Sequence, residues 1–470
     1  MSTQSIIPPL RTIAAAAVAL ALSGCASFSK DGGLDAVSAM TAERIGQDLR
    51  LPQAADADPA SPELARLLQS PLSADDAVRI ALLNNRGLRA SLAALGVAEA
   101  DLVQAGRMRN PGVGFSRKSG GGETEIERSV MFDLVGLLSI PIRRDIEARR
   151  FEGAKLAAAT SAVQLAADTR KAWFTAVAAA QSASYAEQVR EAAQASADLA
   201  ARMAQVGNLS RLDQAREQAF SAEASTQLAR ARHDATAARE RLTRLMGLWG
   251  EHTTFQLPAR LPELPGAARE PANIEALAMR QRLDVQLAKL NTQATARALG
   301  LSKATGFVNV LDAGYVNAST SGSPRENGYE IELALPLFDW GGARVARAEA
   351  IYMQSVHRTA DIAINARSQV REAYSAYRTS YDVARHYRDE IVPLRKRISD
   401  ETLLRYNGML ISVFELLADA RAQISGVNAA IEAQRDYWIA DTDLQATING
   451  SGGATAGLAG ASAADTAAAH

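Results

Sequence analysis

Tyr329-Glu-Ile-Glu-Leu-Ala-Leu-Pro-Leu-Phe-Asp-Trp-Gly-Gly342 is the stretch on which the fold turns. Tyr329, Ile331, Leu333 and Leu335 alternate with Glu330, Glu332 and Ala334, the period-two pattern of a strand with one apolar and one acidic face. A strand of a membrane barrel needs that pattern, with lipid on one side and water on the other. A half-buried strand of a soluble sheet carries it too, and periodicity alone does not separate the two. The strand is expected over about 329–337, after a polar turn at 320–328 and a partner strand at about 306–319.

The helical pattern beyond Gly342 is too long for a globular domain. From 342 to about 405 Ala, Arg, Glu, Gln and Ile recur at helical spacing and the only proline is Pro393. A continuous helix over most of that span would reach roughly 90 Å at 1.5 Å per residue. Residues 144 to about 205 give a similar rod, and each rod is succeeded by a second helix, 211–246 and 412 to about 445. Such rods cannot bury an apolar stripe alone and must lie against neighbours, as in a coiled coil.

The chain reads twice, with a shift of about 200 residues. Leu72-Ser-Ala-Asp-Asp-Ala-Val78 opens a helix with Ser73 as N-cap and Asp76 close to a capping box, and Asn273-Ile-Glu-Ala-Leu-Ala278 opens its counterpart. Arg170-Lys-Ala-Trp173 matches Arg371-Glu-Ala-Tyr374, and Leu209-Ser-Arg-Leu-Asp213 matches Ile411-Ser-Val-Phe-Glu415. In the first half, strands are expected at about 112–118, where Val113, Phe115 and Arg117 alternate with Gly114 and Ser116, and at 124–137. The repeats therefore run over 72–250 and 272–448, joined by a linker at 251–271. Duplication is the simplest explanation.

At the start, Arg11 supplies a basic region and 12–22 a short apolar run, ending in Leu22-Ser-Gly-Cys25. This is the pattern of a bacterial lipoprotein signal covering 1–24, with Cys25 as the lipidated first residue of a mature chain whose extension occupies 25–71. Cys25 is the single cysteine, so an internal disulfide is impossible. The tail from 449 to 470 is mostly Gly, Ala, Ser and Thr and is expected to be disordered.

Composition sets limits on function. With 51 basic and 52 acidic residues, the chain has no global field for a polyanion, and nucleic acid is not expected as a partner. The five histidines lack metal-ligand spacing, and Gly120-Gly-Gly122 lacks the lysine of a phosphate-binding loop. No catalytic set, metal site or cofactor is expected beyond the lipid on Cys25.

The junction 329–342, the turn Arg405-Tyr-Asn-Gly-Met-Leu-Ile-Ser-Val-Phe-Glu-Leu-Leu417 and the opening helix at 72–85 together resemble the TolC family of outer-membrane efflux proteins. The resemblance covers roughly 72–450, in order and doubled. It implies a mainly α fold with a small β part: antiparallel coiled-coil helices forming a trimeric α-barrel, and four strands per protomer in a twelve-stranded transmembrane β-barrel. It implies a passive exit duct in the bacterial outer membrane, lipid-anchored and reaching into the periplasm. The partners it implies are two further copies of the chain, a periplasmic adaptor, an inner-membrane pump of RND type and outer-membrane lipid. Glu415 falls where the family places a periplasmic gate, with Asp213, Arg405 and Arg421 as further gate candidates; Glu415 also fits a helix-capping role with Ser412. Phe338 and Trp340 fit an interfacial aromatic girdle or a cap on the helix barrel. The family usually places the tip glycine one position after Gly408. A structural coiled-coil lipoprotein without a pore is the competing reading, and it predicts rods without the four alternating strands.

Overall fold

The computed structural model describes residues 27–49, 60–306, 310–334 and 337–451, with 60–62 as backbone only. The signal segment 1–24, Cys25 and the tail from 452 lie outside the described residues. The described residues form two compact units, one drawn from 27–36, 91–158 and 285–362, the other from 37–90, 159–284 and 363–451.

The elements run α1 (Leu34–Ile45), α2 (Ala60–Leu67), α3 (Ala74–Asn84), α4 (Arg86–Ala105), β1 (Gly112–Gly120), β2 (Glu123–Asp133), α5 (Leu134–Gln205) and α6 (Arg211–Met246). The order then repeats: α7 (Ile274–Gln281), α8 (Leu283–Ala304), β3 (Leu311–Thr320), β4 (Glu326–Leu333), α9 (Gly342–His386), α10 (Val392–Asn407) and α11 (Val413–Asn449). The single opening helix expected in each half is thus two helices, broken at Asn85 and at Arg282.

The first unit holds a four-stranded antiparallel sheet in the order β1-β2-β3-β4. Its register pairs Phe115 with Arg128, Val130 with Tyr315, and Tyr315 with Tyr329. Four strand boundaries differ from the sequence reading. β2 stops at Asp133 rather than 137, because the Asp133 carboxylate accepts the N–H of Gly136 at 2.6 Å and so caps α5 directly. β4 begins at Glu326, inside the expected turn, where the Asn317 and Tyr315 side chains donate to Asn327 Oδ1 at 2.7 and 2.6 Å and extend the ladder. It ends at Leu333; of the expected remainder, 335–336 lie outside the described residues, as do 307–309 of the third expected strand, which is observed from Leu311. In the same unit, a polar ladder joins α8 and α9, with Thr292 against Thr359 and Thr295 against Ser355, each at 2.8 Å. Short side chains let those backbones approach closely.

The second unit is a set of closely packed helices with alanine at many contact positions. Ala159, Ala162, Ala166, Ala172, Ala176 and Val177 of α5 are buried, which is how a helix of this length lies against neighbours without bulky ridges. The linker crosses this unit as a strap with Phe255, Leu261 and Leu264 buried. Side chains satisfy its backbone: Trp438 Nε1 donates to Pro262 O at 3.0 Å, the Tyr381 hydroxyl to Pro265 O at 3.1 Å, and the Arg269 N–H bonds the Tyr377 hydroxyl at 2.8 Å.

The landmarks matched in the sequence perform equivalent work. Arg170 pairs with Asp75 at 2.6 Å and Arg371 with Glu275 at 3.1 Å, each carboxylate at the second position of the short helix that opens its half. Gly247 ends α6 with φ +66° and its backbone lies against the Asn84-Asn85 break; Gly450 ends α11 with φ +83° and lies against the Arg282-Leu283-Asp284 break. The second break is built differently, because the buried Arg282 donates to both oxygens of Asp284, to Thr447 O and to Gln369 Oε1.

The second long rod is helical without a break from Gly342 to Asn407; α9 and α10 are joined by one π-turn, Tyr387–Ile391, in which the Val392 N–H bonds to Tyr387 O. Pro393 explains it: proline has no N–H for the carbonyl four residues back, and the wider turn accommodates its ring. Pro141 sits near the start of α5, which continues through it.

Candidate functional site

The pleat sorts the sheet's side chains into two faces. On one face the register brings together Val113, Phe115, Val130, Phe132, Tyr315, Tyr329, Ile331 and Leu333, with Arg117, Arg128, Asn317 and Asn327 on the same face toward the hairpin ends. Tyr329 is 91% exposed and Ile331 72%, with Val113 and Phe115 exposed beside them. Water is a poor environment for such a patch, and a contiguous exposed apolar surface of this kind marks a face made for lipid or for another protein. The other face carries Glu125, Glu127, Glu330 and Glu332 among glycines and serines. Asp133, Asp312 and Glu332 stand in one row across three strands. Like charges directly opposite on a sheet repel, so the row requires water or cations beside it.

Both strand-to-helix junctions continue the apolar exposure. Leu137 and Leu138 project from the start of α5, and Leu337, Phe338 and Trp340 come after β4, with Phe338 completely exposed. Neither Phe338 nor Trp340 enters a core. The outer edges of β1 and β4 pair with no other strand among the described residues.

At the opposite end of the sequence pattern, two turns join the long helices. Ser210 caps α6 by accepting the Asp213 N–H at 3.1 Å, and its hydroxyl donates to the Asp213 carboxylate at 2.6 Å; Asp213 also pairs with Arg216 at 3.2 Å. Ser412 caps α11 by accepting the Glu415 N–H at 3.4 Å, with the Glu415 carboxylate a further 3.4 Å contact on an exposed side chain. Arg405 pairs with Glu401 of its own helix at 3.0 Å. Arg421 reaches from α11 to Glu217 of α6 at 3.6 Å and lies over the Phe220 ring at 4.2 Å. Of the four gate candidates, Arg421 alone makes an ion pair between the two helix pairs.

Met409 has φ +59°, the left-handed region that costs a side-chain-bearing residue about 1 kcal/mol or more. It stands at the position where the resemblance expects glycine. Displacement of the glycine to Gly408, which has φ −78°, leaves the strain on methionine.

Glu217 was not legible in the sequence. Its side chain is 4% exposed and accepts from Ser196 at 3.0 Å, so one carboxylate ties α5, α6 and α11 together. Nothing in Arg216-Glu217-Gln218 distinguishes it from neighbouring solvated charges; tertiary packing alone singles it out. In the same unit, burial and the Asp441 carboxylate raise the Tyr437 phenol above its ordinary range. Among the described residues no group of three or more His, Cys, Asp or Glu is placed to hold a metal ion. No described helix is long and apolar enough to cross a membrane.

No family model and no curated protein matches the chain. Solved structures do. A CusC structure described for transmembrane channel formation has a TM-score of 0.69 at 16% identity, covering 82% of this chain and 94% of that one. A membrane protein from Pseudomonas aeruginosa gives 0.70 at 19%, covering 85% and 98%. The CmeC outer membrane channel of Campylobacter jejuni gives 0.69 at 16%, covering 80% and 86%. The order of paired opening helices, strand pair and long helix pair, seen twice along this chain, is therefore the fold shared with these solved structures.

Proposed function

We propose that this chain is the outer-membrane channel component of a tripartite efflux pump, a passive exit duct for substrates delivered by an inner-membrane transporter and a periplasmic adaptor. The observation that carries this reading is the sheet: an exposed apolar face backed by an acidic one, on a chain whose helices are long and paired. Lipid outside and water inside is the environment that satisfies both faces at once. Two unpaired strand edges are intolerable in hydrocarbon, and three copies contributing four strands each close a twelve-stranded barrel. Leu137, Leu138, Phe338 and Trp340 then lie at the membrane boundary, the last two as part of an aromatic girdle. The likeness to channel structures over most of both chains supports the same reading. Cys25 carries the lipid that holds the chain at the outer membrane.

The poreless coiled-coil reading predicted no four-stranded sheet, and the sheet counts against it. Purified protein added to a planar bilayer tests the two. Discrete single-channel steps from a trimer support the duct; a trimer or monomer that never conducts rejects it.

A further inference from the structure

Charge on the sheet is sorted by face. Every acid of the four strands, from Glu123 on β2 to Glu332 on β4, falls on the face opposite the apolar one, and Lys118 stands there too, paired in register with Glu125. The strand arginines, Arg117 and Arg128, are on the apolar face. Arg128 lies opposite Phe115 on one side and Asn317 on the other. Arg117 lies opposite Ile126, two residues along β2 from Arg128, so the two arginines are diagonal neighbours at about 7–8 Å. Both are exposed, and neither forms an ion pair among the described residues.

Their height along the strands gives this placement meaning. In the row nearer the helices Tyr315 and Tyr329 meet edge to face with ring centroids 6.3 Å apart, and Phe115 stands beside Arg128, so aromatic side chains close the apolar band where the guanidiniums begin. Aromatic rings at the rim of an apolar band mark the headgroup level of a membrane barrel. An arginine there lays its aliphatic stem along apolar surface and needs an anion at its charged end. The strands supply none on this face. A second copy whose β4 paired with β1 would supply none either, because on this face β4 carries Asn327, Tyr329, Ile331 and Leu333.

We propose that Arg117 and Arg128 bind the phosphate of an anionic lipid in the leaflet around the hairpin ends. The site rests on the barrel reading above, which puts this face against lipid. Phosphate oxygens accept two parallel bonds from one guanidinium, and two guanidiniums at this separation can hold one phosphate between them. The acids on the opposite face line the water side and do not compete for the arginines.

The test reconstitutes the full-length protein in phosphatidylcholine vesicles with a trace of spin-labelled lipid, either phosphatidic acid or phosphatidylcholine, and reads the fraction of label immobilised at the protein. Phosphatidic acid should be enriched about fivefold over phosphatidylcholine at low ionic strength, and less in concentrated salt. Arg117→Gln combined with Arg128→Gln should bring the two lipids to parity. Each single variant should lower the preference at least about twofold, which decides the matter if the double variant does not assemble. Lys118→Gln, on the other face of the same strand, should leave it unchanged. Immobilised lipid without a preference, or the wild-type preference in the arginine variants, overturns the proposal and leaves the barrel standing. No immobilised lipid of either kind overturns the barrel reading together with it.

Discussion

Arg421 of α11 and Glu217 of α6 meet across two helix pairs, Nη2 to Oε1 at 3.6 Å, with Glu217 almost wholly buried and Arg421 half in water. The pair is therefore asymmetric. Losing Arg421 strands a desolvated carboxylate and also removes the guanidinium from the Phe220 ring, whereas Glu217→Gln keeps an acceptor for Ser196. Arg421→Ala should cost about 2 kcal/mol and Glu217→Gln about 1. A double-mutant cycle from denaturant melts should return a coupling of about 1 kcal/mol. Zero coupling would mean that the two side chains stabilise the fold separately.

Glu415 and Ser412 separate a capping role from a gating one. The cap uses the Glu415 backbone N–H, so Ser412→Ala should cost about 1 kcal/mol while Glu415→Gln changes stability by less than about 0.5. If three Glu415 carboxylates ring the channel axis, Glu415→Gln should relieve block by multivalent cations in bilayer recordings. Unaltered block in a variant that still conducts would place the gate elsewhere.

The two faces of β4 should tolerate charge unequally. Ile331→Arg, in the middle of the apolar face, should cost on the order of 2–4 kcal/mol in a bilayer, and Glu330→Arg, one residue away on the acidic face, less than about 1. Refolding yields into lipid vesicles measure the difference. Equal yields would show that the apolar face does not meet lipid.

Gly450→Ala and Gly207→Ala compare a crowded glycine with an open one. Both have positive φ, but a Cβ on Gly450 would lie 2.6 Å from Asp284 Oδ1 and 2.9 Å from the Leu283 nitrogen, while nothing lies within 4 Å of one on Gly207. Gly207→Ala should cost about 1 kcal/mol and Gly450→Ala at least about 3, read from melting curves. Similar costs would mean that the end of α11 moves off the Arg282 break freely.

On the proposed lipoprotein reading, Cys25→Ser should abolish incorporation of radiolabelled palmitate, while the proposed barrel would still hold the protein in the membrane. Label persisting in the variant would remove Cys25 as the acylation site.

The sequence by itself determined most of the elements and their order: alternation at 329–335, long alanine-rich rods, the serine caps at 73 and 412, and two matched arginines, Arg170 and Arg371, that form matched ion pairs. Those are local or periodic properties, governed by backbone sterics and by which face of an element is apolar, and both are written in a short window of residues. Tertiary structure alone decided which partners meet. It exposed the apolar face of the sheet, where periodicity had left a soluble strand and a membrane strand indistinguishable. It turned 134–137 from strand into helix through the Asp133 cap, set a π-turn before Pro393, and left Met409 in a conformation suited to glycine. It also buried Glu217 and Arg282, two charges among many, because whether a charge is desolvated depends on contacts with residues far away in the sequence, and no local pattern encodes that.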